Sequence, residues 1–231
     1  MNRRLETGLT LVLTLAAVAM AVAFVWRQLG PTSATGRVRV EAPQEPELYP
    51  KWRDWLPIGN SIMGADSASV NLLVFTDFEC PYCARFHETV LKKTMEEFGP
   101  SVGATIIPFP LKIHRFAEIS AVAAECAAEQ GRFAEYVDGL FLKQDSLGLK
   151  SWESFALEAG VAERDQFQAC VDAQRPLGRV KAGRAVADSI GLQSTPTVFV
   201  NGWRLPAFGE DELSRAIEGV LNGERPNSEP K

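Results

Sequence analysis

Residues 70–76 read Val-Asn-Leu-Leu-Val-Phe-Thr, and residues 78–83 read Phe-Glu-Cys-Pro-Tyr-Cys. The first stretch is apolar and rich in β-branched and aromatic residues, which predicts a strand buried on both faces. Pro81 favours the first position of a helix, and apolar residues then recur at helical spacing as far as Gly99. A second strand is expected at residues 103–109, so the two cysteines lie at the turn between a strand and the following helix.

The rest of the chain predicts a block of helices and then a hairpin. Residues 115–191 carry four or five short helical patterns that glycines interrupt. Residues 197–200 form a strand pattern, Asn201-Gly202 is a strong two-residue turn, and residues 210–221 form a final helix. This order predicts an α/β fold, in which a mixed central sheet carries an inserted helical subdomain at about 115–191.

Composition sets broad limits on function. The 231 residues are 46% apolar and 23% charged, which is typical of a globular protein with one domain or at most two. The net charge of -5 is mild, and Lys and Arg are scattered along the chain. Because nucleic-acid binding needs a concentrated basic surface, a nucleic-acid partner is not expected.

The two ends of the chain differ from the middle. After a short tail at residues 1–6, residues 7–26 contain no charge and are long enough to span a bilayer. A cleaved signal peptide is the alternative, but this apolar core exceeds the usual length, so a retained anchor is expected. Residues 27–57 hold several prolines and predict a linker, residues 58–222 the folded domain, and residues 223–231 a disordered tail.

The pair Cys80 and Cys83 predicts redox chemistry. A sulfur at the amino end of a helix is stabilised as a thiolate by free backbone N–H groups and by the helix dipole, so Cys80 is the expected nucleophile. Cys83 lies one turn further on the same face, where it can attack a mixed disulfide formed at Cys80. Between them, Pro81 fixes the backbone and Tyr82 adds no positive charge.

Two other roles are compatible with a C-x-x-C pair. A zinc site needs a second C-x-x-C or two suitably spaced histidines, and the two histidines of the chain, His87 and His114, lack that spacing. Both histidines are interpreted as surface or capping residues. An inert disulfide is the other alternative, but a strand-to-helix turn is the setting that the redox motif requires. No metal and no cofactor are expected.

Residues 78–83, the segment Ser194-Thr195-Pro196-Thr197 and the helices between them resemble the DsbA family of the thioredoxin superfamily. The resemblance implies a thioredoxin fold and a Cys80/Cys83 pair that cycles between dithiol and disulfide. It also implies a cis peptide at Pro196 that faces the cysteines, with Thr195 in contact with the substrate backbone. Together with Thr195 and Pro196, Pro81 and Tyr82 are the candidate substrate-binding residues.

The sequence departs from the superfamily pattern at one position. Thioredoxin-like proteins often carry a buried acid six residues before the first cysteine, whereas this chain has Val74 there. Asp77, Glu79 or solvent is the candidate replacement in a proton relay. Glu79 also adjoins the nucleophile, so its charge is expected to raise the pKa of Cys80 and oppose the helix dipole.

The remaining cysteines, Cys126 and Cys170, both fall in the helical block. An even cysteine count and an oxidising compartment predict a disulfide between them. Two buried free thiols, packed as small apolar side chains, are the alternative.

These observations favour an oxidase of thiols in exported proteins. Since disulfide chemistry needs an oxidising compartment, the domain is expected on the periplasmic side of the cell membrane, tethered by a single span. The expected substrates are reduced or unfolded exported proteins, and the resemblance implies reoxidation by a quinone-linked membrane protein. A reductase or isomerase fed by a reductant, or a tethered chaperone that needs no thiols, are the alternatives.

Overall fold

The computed structural model describes residue 20 and residues 45–64, 68–206 and 209–226. The chain divides into two compact units, Met1–Ala42 and Pro43–Lys231, and the second holds all described residues except Met20. The predicted tail at 1–6, the anchor at 7–26 apart from Met20, and the linker as far as residue 44 lie outside the described residues. Among the described residues, no helix is long and apolar enough to span a bilayer.

The described part of the chain contains one six-stranded sheet. Its strands are β1 (Glu47–Leu48), β2 (Asn60–Met63), β3 (Val70–Thr76), β4 (Val102–Pro108), β5 (Thr197–Val200) and β6 (Trp203–Arg204). The spatial order is β1-β6-β5-β3-β4-β2. Only the pairing of β3 with β4 is parallel within this sheet, while the other four pairings are antiparallel. The predicted mixed central sheet is therefore confirmed.

Eight α-helices accompany this sheet in the described residues. They are α1 (Pro81–Phe86), α2 (Lys92–Phe98), α3 (Ala117–Ala128), α4 (Phe133–Leu142), α5 (Trp152–Glu158), α6 (Arg164–Asp172), α7 (Leu177–Ser189) and α8 (Glu210–Leu221). A π-helical segment, His87–Leu91, separates α1 from α2, where the sequence predicted one continuous helix. Helices α3 to α7 lie between β4 and β5 in sequence, which confirms the predicted helical insertion.

Strand β3 is buried on both faces because it lies inside the sheet between β4 and β5. Its side chains alternate between two core clusters, as the two-residue period of a strand requires. Leu72 and Val74 join the cluster that includes the insertion helices, whereas Leu73 and Phe75 join a smaller aromatic cluster with Trp52. This double burial holds the end of β3, and the turn that follows it, in a fixed position.

The prediction that the linker extends to residue 57 is wrong for residues 47–57. Strand β1 pairs with β6, and a 3-10 helix, Trp52–Ile58, follows it. Trp52 is only 3% exposed, and Trp55 packs edge-on against Phe199 with 5.4 Å between the ring centroids. The proline content suggested an extended linker, but the aromatic side chains bury enough apolar surface to fix this segment on the sheet.

The carboxyl-terminal tail also begins later than the sequence predicted. The guanidinium of Arg225 lies 5.8 Å from the ring centroid of Trp203, and Pro226 is buried. Residues 223–226 therefore pack against the domain. Residues 227–231 lie outside the described part of the chain.

Cys126 in α3 and Cys170 in α6, which are 44 positions apart in sequence, are joined in a disulfide. Both residues are buried, at 1% and 0% exposed. The bond crosslinks two helices of the insertion.

Replacing both of these cysteines by alanine is expected to lower the free energy of unfolding by about 4 kcal/mol, because the unfolded chain loses a long closed loop. Urea unfolding of the oxidised wild type and of the Cys126→Ala/Cys170→Ala variant measures this difference. The reduction potential of the Cys80/Cys83 pair is expected to stay unchanged. A variant as stable as the wild type would contradict the structural role of the bond.

Candidate active site

Cys80 lies at the amino end of α1, immediately after the turn that leaves β3. Cys80 is the N-cap residue, with extended backbone angles, and Pro81 takes the first helical position, as the sequence predicted. The Cys80 N–H donates to the Asp77 carbonyl at 3.1 Å, and the Cys80 carbonyl accepts from the N–H groups of Cys83 and Ala84. The Cys80 sulfur therefore sits at the positive end of the helix, where an anion is stabilised.

The two cysteines have opposite acidities, and both thiols are free. The pKa of Cys80 is lowered to about 5, chiefly because the Cys83 thiol donates a hydrogen bond to it. Burial opposes this effect, while Thr195 and the backbone N–H groups of Cys83 and Tyr82 add to it. Burial is also the main reason that the pKa of Cys83 is raised far above its usual value. Cys80 is thus a thiolate at neutral pH, while Cys83 keeps its proton.

The loop before β5 brings a second segment to this sulfur. Because β5 pairs with β3 in the register Phe75 opposite Thr197, the residues just before Thr197 lie beside the turn that carries Cys80. The Thr195–Pro196 peptide bond is cis. Cys80 Sγ lies 3.5 Å from the Thr195 carbonyl oxygen and donates to it when it is protonated. The two motifs that carried the family resemblance, 115 residues apart in sequence, therefore meet.

A groove of about 620 Å³ is lined by residues of α1 and of the loop that carries Pro196, the two segments that adjoin Cys80. Its lining includes Tyr82, Phe86, Val90, Thr195, Pro196 and Pro206. Three of the four predicted substrate-binding residues thus share one surface. The fourth, Pro81, is exposed on the first turn of α1 and is not among the residues that line the groove.

A family model described as Thioredoxin matches residues 58–219, which is most of the chain. The chain belongs to the thioredoxin family. Solved structures agree at the level of the fold. BdbD of Bacillus subtilis has a TM-score of 0.65 at 21% identity, and the match covers 73% of this chain and 95% of BdbD. DsbA of Chlamydia trachomatis has a TM-score of 0.60 at 19% identity, covering 70% and 89% of the two chains.

The same comparison finds DsbG, a disulfide bond oxidoreductase of Mycobacterium tuberculosis, with a TM-score of 0.60 at 19% identity, covering 74% of this chain and 91% of DsbG. The predicted thioredoxin fold with a helical insertion is therefore confirmed, and it is the fold of DsbA-type proteins.

Longer sequence relatives of this thioredoxin-family chain are named as antiporters. The Na(+)/H(+) antiporter NhaA 1 of Mycolicibacterium gilvum is 34% identical over 181 residues, which cover 77% of this chain and 29% of the antiporter. NhaA of Herminiimonas arsenicoxydans is 30% identical over 187 residues, covering 80% and 27%. The chain thus spans less than a third of the length of these relatives.

In this thioredoxin-family site, Asp77 and Glu79 hold a neighbouring loop. The buried Asp77 carboxylate accepts from the N–H groups of Glu79 at 2.8 Å and Leu111 at 2.7 Å. His114 Nδ1 donates to the same carboxylate at 2.8 Å. Glu79 in turn accepts from the Phe116 N–H. These bonds connect the turn at residues 77–80, here called the redox turn, to the loop before α3. The proton relay that the sequence suggested for both acids stays a prediction.

Sequence reasoning did not single out Gln144, and it interpreted His114 as a surface or capping residue. Gln144 Nε2 donates to the carbonyls of Phe78 at 2.8 Å and Cys80 at 3.0 Å. The helical insertion therefore forms direct hydrogen bonds with the redox turn. Neither residue belongs to a local motif, since Gln144 lies 64 residues from Cys80 and His114 lies 37 residues from Asp77. Their roles arise from the fold alone.

The second histidine, His87, lies on the π-helical segment away from these contacts. It is buried, and its Nε2 lies 2.6 Å from Asp138 Oδ1. Glu88 completes a group of possible metal ligands within 4.8 Å of one another, but Lys92 Nζ already contacts Glu88 at 2.8 Å and Asp138 at 3.3 Å. The lysine thus supplies the positive charge that these carboxylates need.

Proposed function

We propose that this protein is a thiol-disulfide oxidoreductase that introduces disulfides into exported proteins. One observation carries the proposal: the Cys80 thiol has a pKa of about 5, at the amino end of α1 and beside an apolar groove. A thiolate is the species that exchanges with other sulfurs and the better leaving group in such exchange. The groove offers an apolar surface beside the sulfur on which an unfolded polypeptide can lie.

The reaction exchanges two bonds. A substrate thiolate attacks Cys80 in the oxidised protein, so the Cys80–Cys83 bond breaks and a substrate–Cys80 disulfide forms. A second substrate thiol, deprotonated by solvent, then attacks its partner sulfur in that mixed disulfide and releases the Cys80 thiolate. Cys83 leaves the first step as a thiolate and takes up one proton from solvent, so the protein keeps two electrons and that proton, and the substrate leaves with a disulfide. The raised pKa of Cys83 suits this outcome, because a mostly protonated Cys83 attacks the mixed disulfide slowly, and a second thiol on the same substrate reacts first.

The proposal extends to location and partners. We place the domain outside the cytoplasm, tethered to the cell membrane by residues 7–26, since a protein disulfide survives in an oxidising compartment. The oxidant that regenerates the Cys80–Cys83 disulfide is a quinone-linked membrane protein, which accepts the two electrons. Its own disulfide is reduced as that of Cys80 and Cys83 re-forms.

The low pKa of Cys80 favours a protein that oxidises substrate thiols over one that reduces substrate disulfides. At pH 7, a thiol with a pKa of about 5 is about a hundred times more often ionised than neutral. This ionisation stabilises only the reduced protein, because the disulfide form has no thiol to ionise. The reduction potential of the pair is therefore raised by about 60 mV for a two-electron couple. The disulfide form is thereby made the stronger oxidant.

We expect the Cys80/Cys83 pair to have a reduction potential less negative than about −180 mV, in the range of proteins that donate disulfides. Equilibration with glutathione at pH 7, followed by alkylation and mass analysis, measures it. The Cys126→Ala/Cys170→Ala variant is the control, and it should return the same value. A potential near about −270 mV would instead assign the protein to the reductases and overturn the proposed direction.

A further inference from the structure

The redox turn carries more negative than positive charge close to Cys80. Glu79 precedes the cysteine, and the buried Asp77 lies three residues before it. Tyr82, between the two cysteines, adds no charge. Two carboxylates so close to a thiolate oppose its ionisation by like-charge repulsion, yet the pKa of Cys80 is low. A cation that offsets these carboxylates would favour the thiolate.

His114 is placed to be that cation. Its Nδ1 lies 2.8 Å from Asp77 Oδ2, and the Asp77 carbonyl accepts from the Cys80 N–H. The Asp77 side chain is fully buried, whereas that of His114 is 18% exposed. The ion pair is thus largely shielded from solvent and salt, which screen exposed pairs. One residue, Asp77, links the imidazole to the redox turn.

The mutual effects of the His114 and Cys80 charges are consistent with this assignment. Burial lowers the pKa of His114, but its hydrogen bond to Asp77 and the charges of Asp77, Cys80 and Glu79 raise it overall. Electrostatic coupling between two groups is reciprocal. If the Cys80 thiolate favours the protonated imidazole, then the protonated imidazole must favour the thiolate by the same free energy.

The remaining charged groups near His114 are less suited to this role. Lys112 and Arg115 flank it on the same loop, and both are exposed, so solvent screens their charge. Arg184 of α7 donates to the Pro110 carbonyl at 2.5 Å, which directs its guanidinium to the start of the loop. The imidazole of His114, in contrast, is partly buried and is of a type that changes its charge near neutral pH.

We propose that His114 is a positioning residue for the redox pair: its imidazolium neutralises Asp77, stabilises the Cys80 thiolate and makes the reduction potential of Cys80/Cys83 depend on the charge of the imidazole. This inference rests on the proposed function and assigns a regulator to the same site. Where the imidazole is protonated, the reduced protein is favoured and the disulfide is a stronger oxidant. As the pH rises through the titration of His114, the buried Asp77 carboxylate keeps its two backbone N–H donors but loses its positively charged partner, and the oxidising power falls.

The His114→Gln variant tests this inference, because the amide still donates to Asp77 but carries no charge. At pH 6, the glutathione equilibrium is expected to shift by about tenfold towards the disulfide form, which corresponds to about 30 mV. The difference from the wild type should vanish at a pH where wild-type His114 is neutral. The Lys112→Gln variant, which removes an exposed charge from the same loop, is the matched control and should match the wild type at both pH values.

A second measurement needs no variant of the redox turn. The titration of His114, followed by NMR in the wild-type protein, is expected to move to lower pH when Cys80 and Cys83 are oxidised, because the thiolate disappears. The His114→Gln spectrum assigns the signal, and the signal of His87, the one other histidine, serves as the reference. An unchanged His114 titration, or a variant effect that is the same at every pH, would overturn the inference.

Thiolate absorbance at 240 nm shows whether a negative result contradicts only the role of His114 or also the proposed function. A wild-type Cys80 that titrates near its low pKa, combined with no coupling to His114, would overturn only the role of His114. A Cys80 with an ordinary thiol pKa would overturn both.

Discussion

Disulfide exchange is expected to fall to the uncatalysed background when Cys80 is replaced by serine, while the fold stays intact. A hydroxyl is not ionised at neutral pH and forms no disulfide, so no mixed disulfide with a substrate can arise. Cys80 is also the N-cap of α1, and serine is among the preferred residues at that position. The free energy of unfolding of the reduced variant should therefore match that of the reduced wild type, or slightly exceed it.

Oxidation of a reduced, unfolded substrate protein with two cysteines measures the activity, and urea unfolding measures the stability. The Cys126→Ala/Cys170→Ala variant is the matched control, because it is expected to lose stability and keep activity. The two variants should thus separate the functions of the two cysteine pairs. If the Cys80→Ser protein still accelerated disulfide formation, Cys80 would not be the reacting thiol. If it protected substrates from aggregation without exchanging thiols, the tethered chaperone would be favoured.

Local patterns were sufficient to predict the parts of the fold that depend on local sequence. The apolar run at residues 70–76, the proline at position 81 and the Asn201-Gly202 turn each describe their own element, and β3, α1 and the β5–β6 hairpin form where expected. The helical insertion was predicted for the same reason, since helical spacing and glycine stops are properties of adjacent residues.

The errors occur where distant residues override local composition. Residues 47–57 have the prolines of a linker, but Trp52 and Trp55 find an aromatic surface on the sheet that only the folded β3 and β5 create. The pairing of His114 with Asp77 likewise depends on the loop after β4 lying beside the turn after β3, which parallel pairing of these strands produces. A sequence with a single histidine in a loop contains no local signal for such a contact.

Trapped complexes with substrate are expected when Cys83 is replaced by serine. With a peptide whose single cysteine is blocked as a disulfide with a small thiol, Cys80 attacks, the small thiol leaves, and a peptide–Cys80 disulfide forms. In the wild type, Cys83 then attacks Cys80, which releases the peptide thiol and closes the Cys80–Cys83 bond. The Cys83→Ser variant lacks this second sulfur, so nearly all of the protein should remain joined to the peptide, visible by intact mass and reversible by dithiothreitol.

The Cys83→Ala variant is the matched comparison, because hydrogen bonding from Cys83 is the largest cause of the low pKa of Cys80. Serine keeps a donor at this position and alanine does not, so the pKa of Cys80 should rise in the alanine variant alone. Trapping at pH 6 should then be roughly fivefold slower with alanine, since the smaller thiolate fraction outweighs the greater nucleophilicity of each thiolate. Equal rates would show that Cys83 does not activate Cys80, and release of peptide by either variant would show that another group resolves the complex.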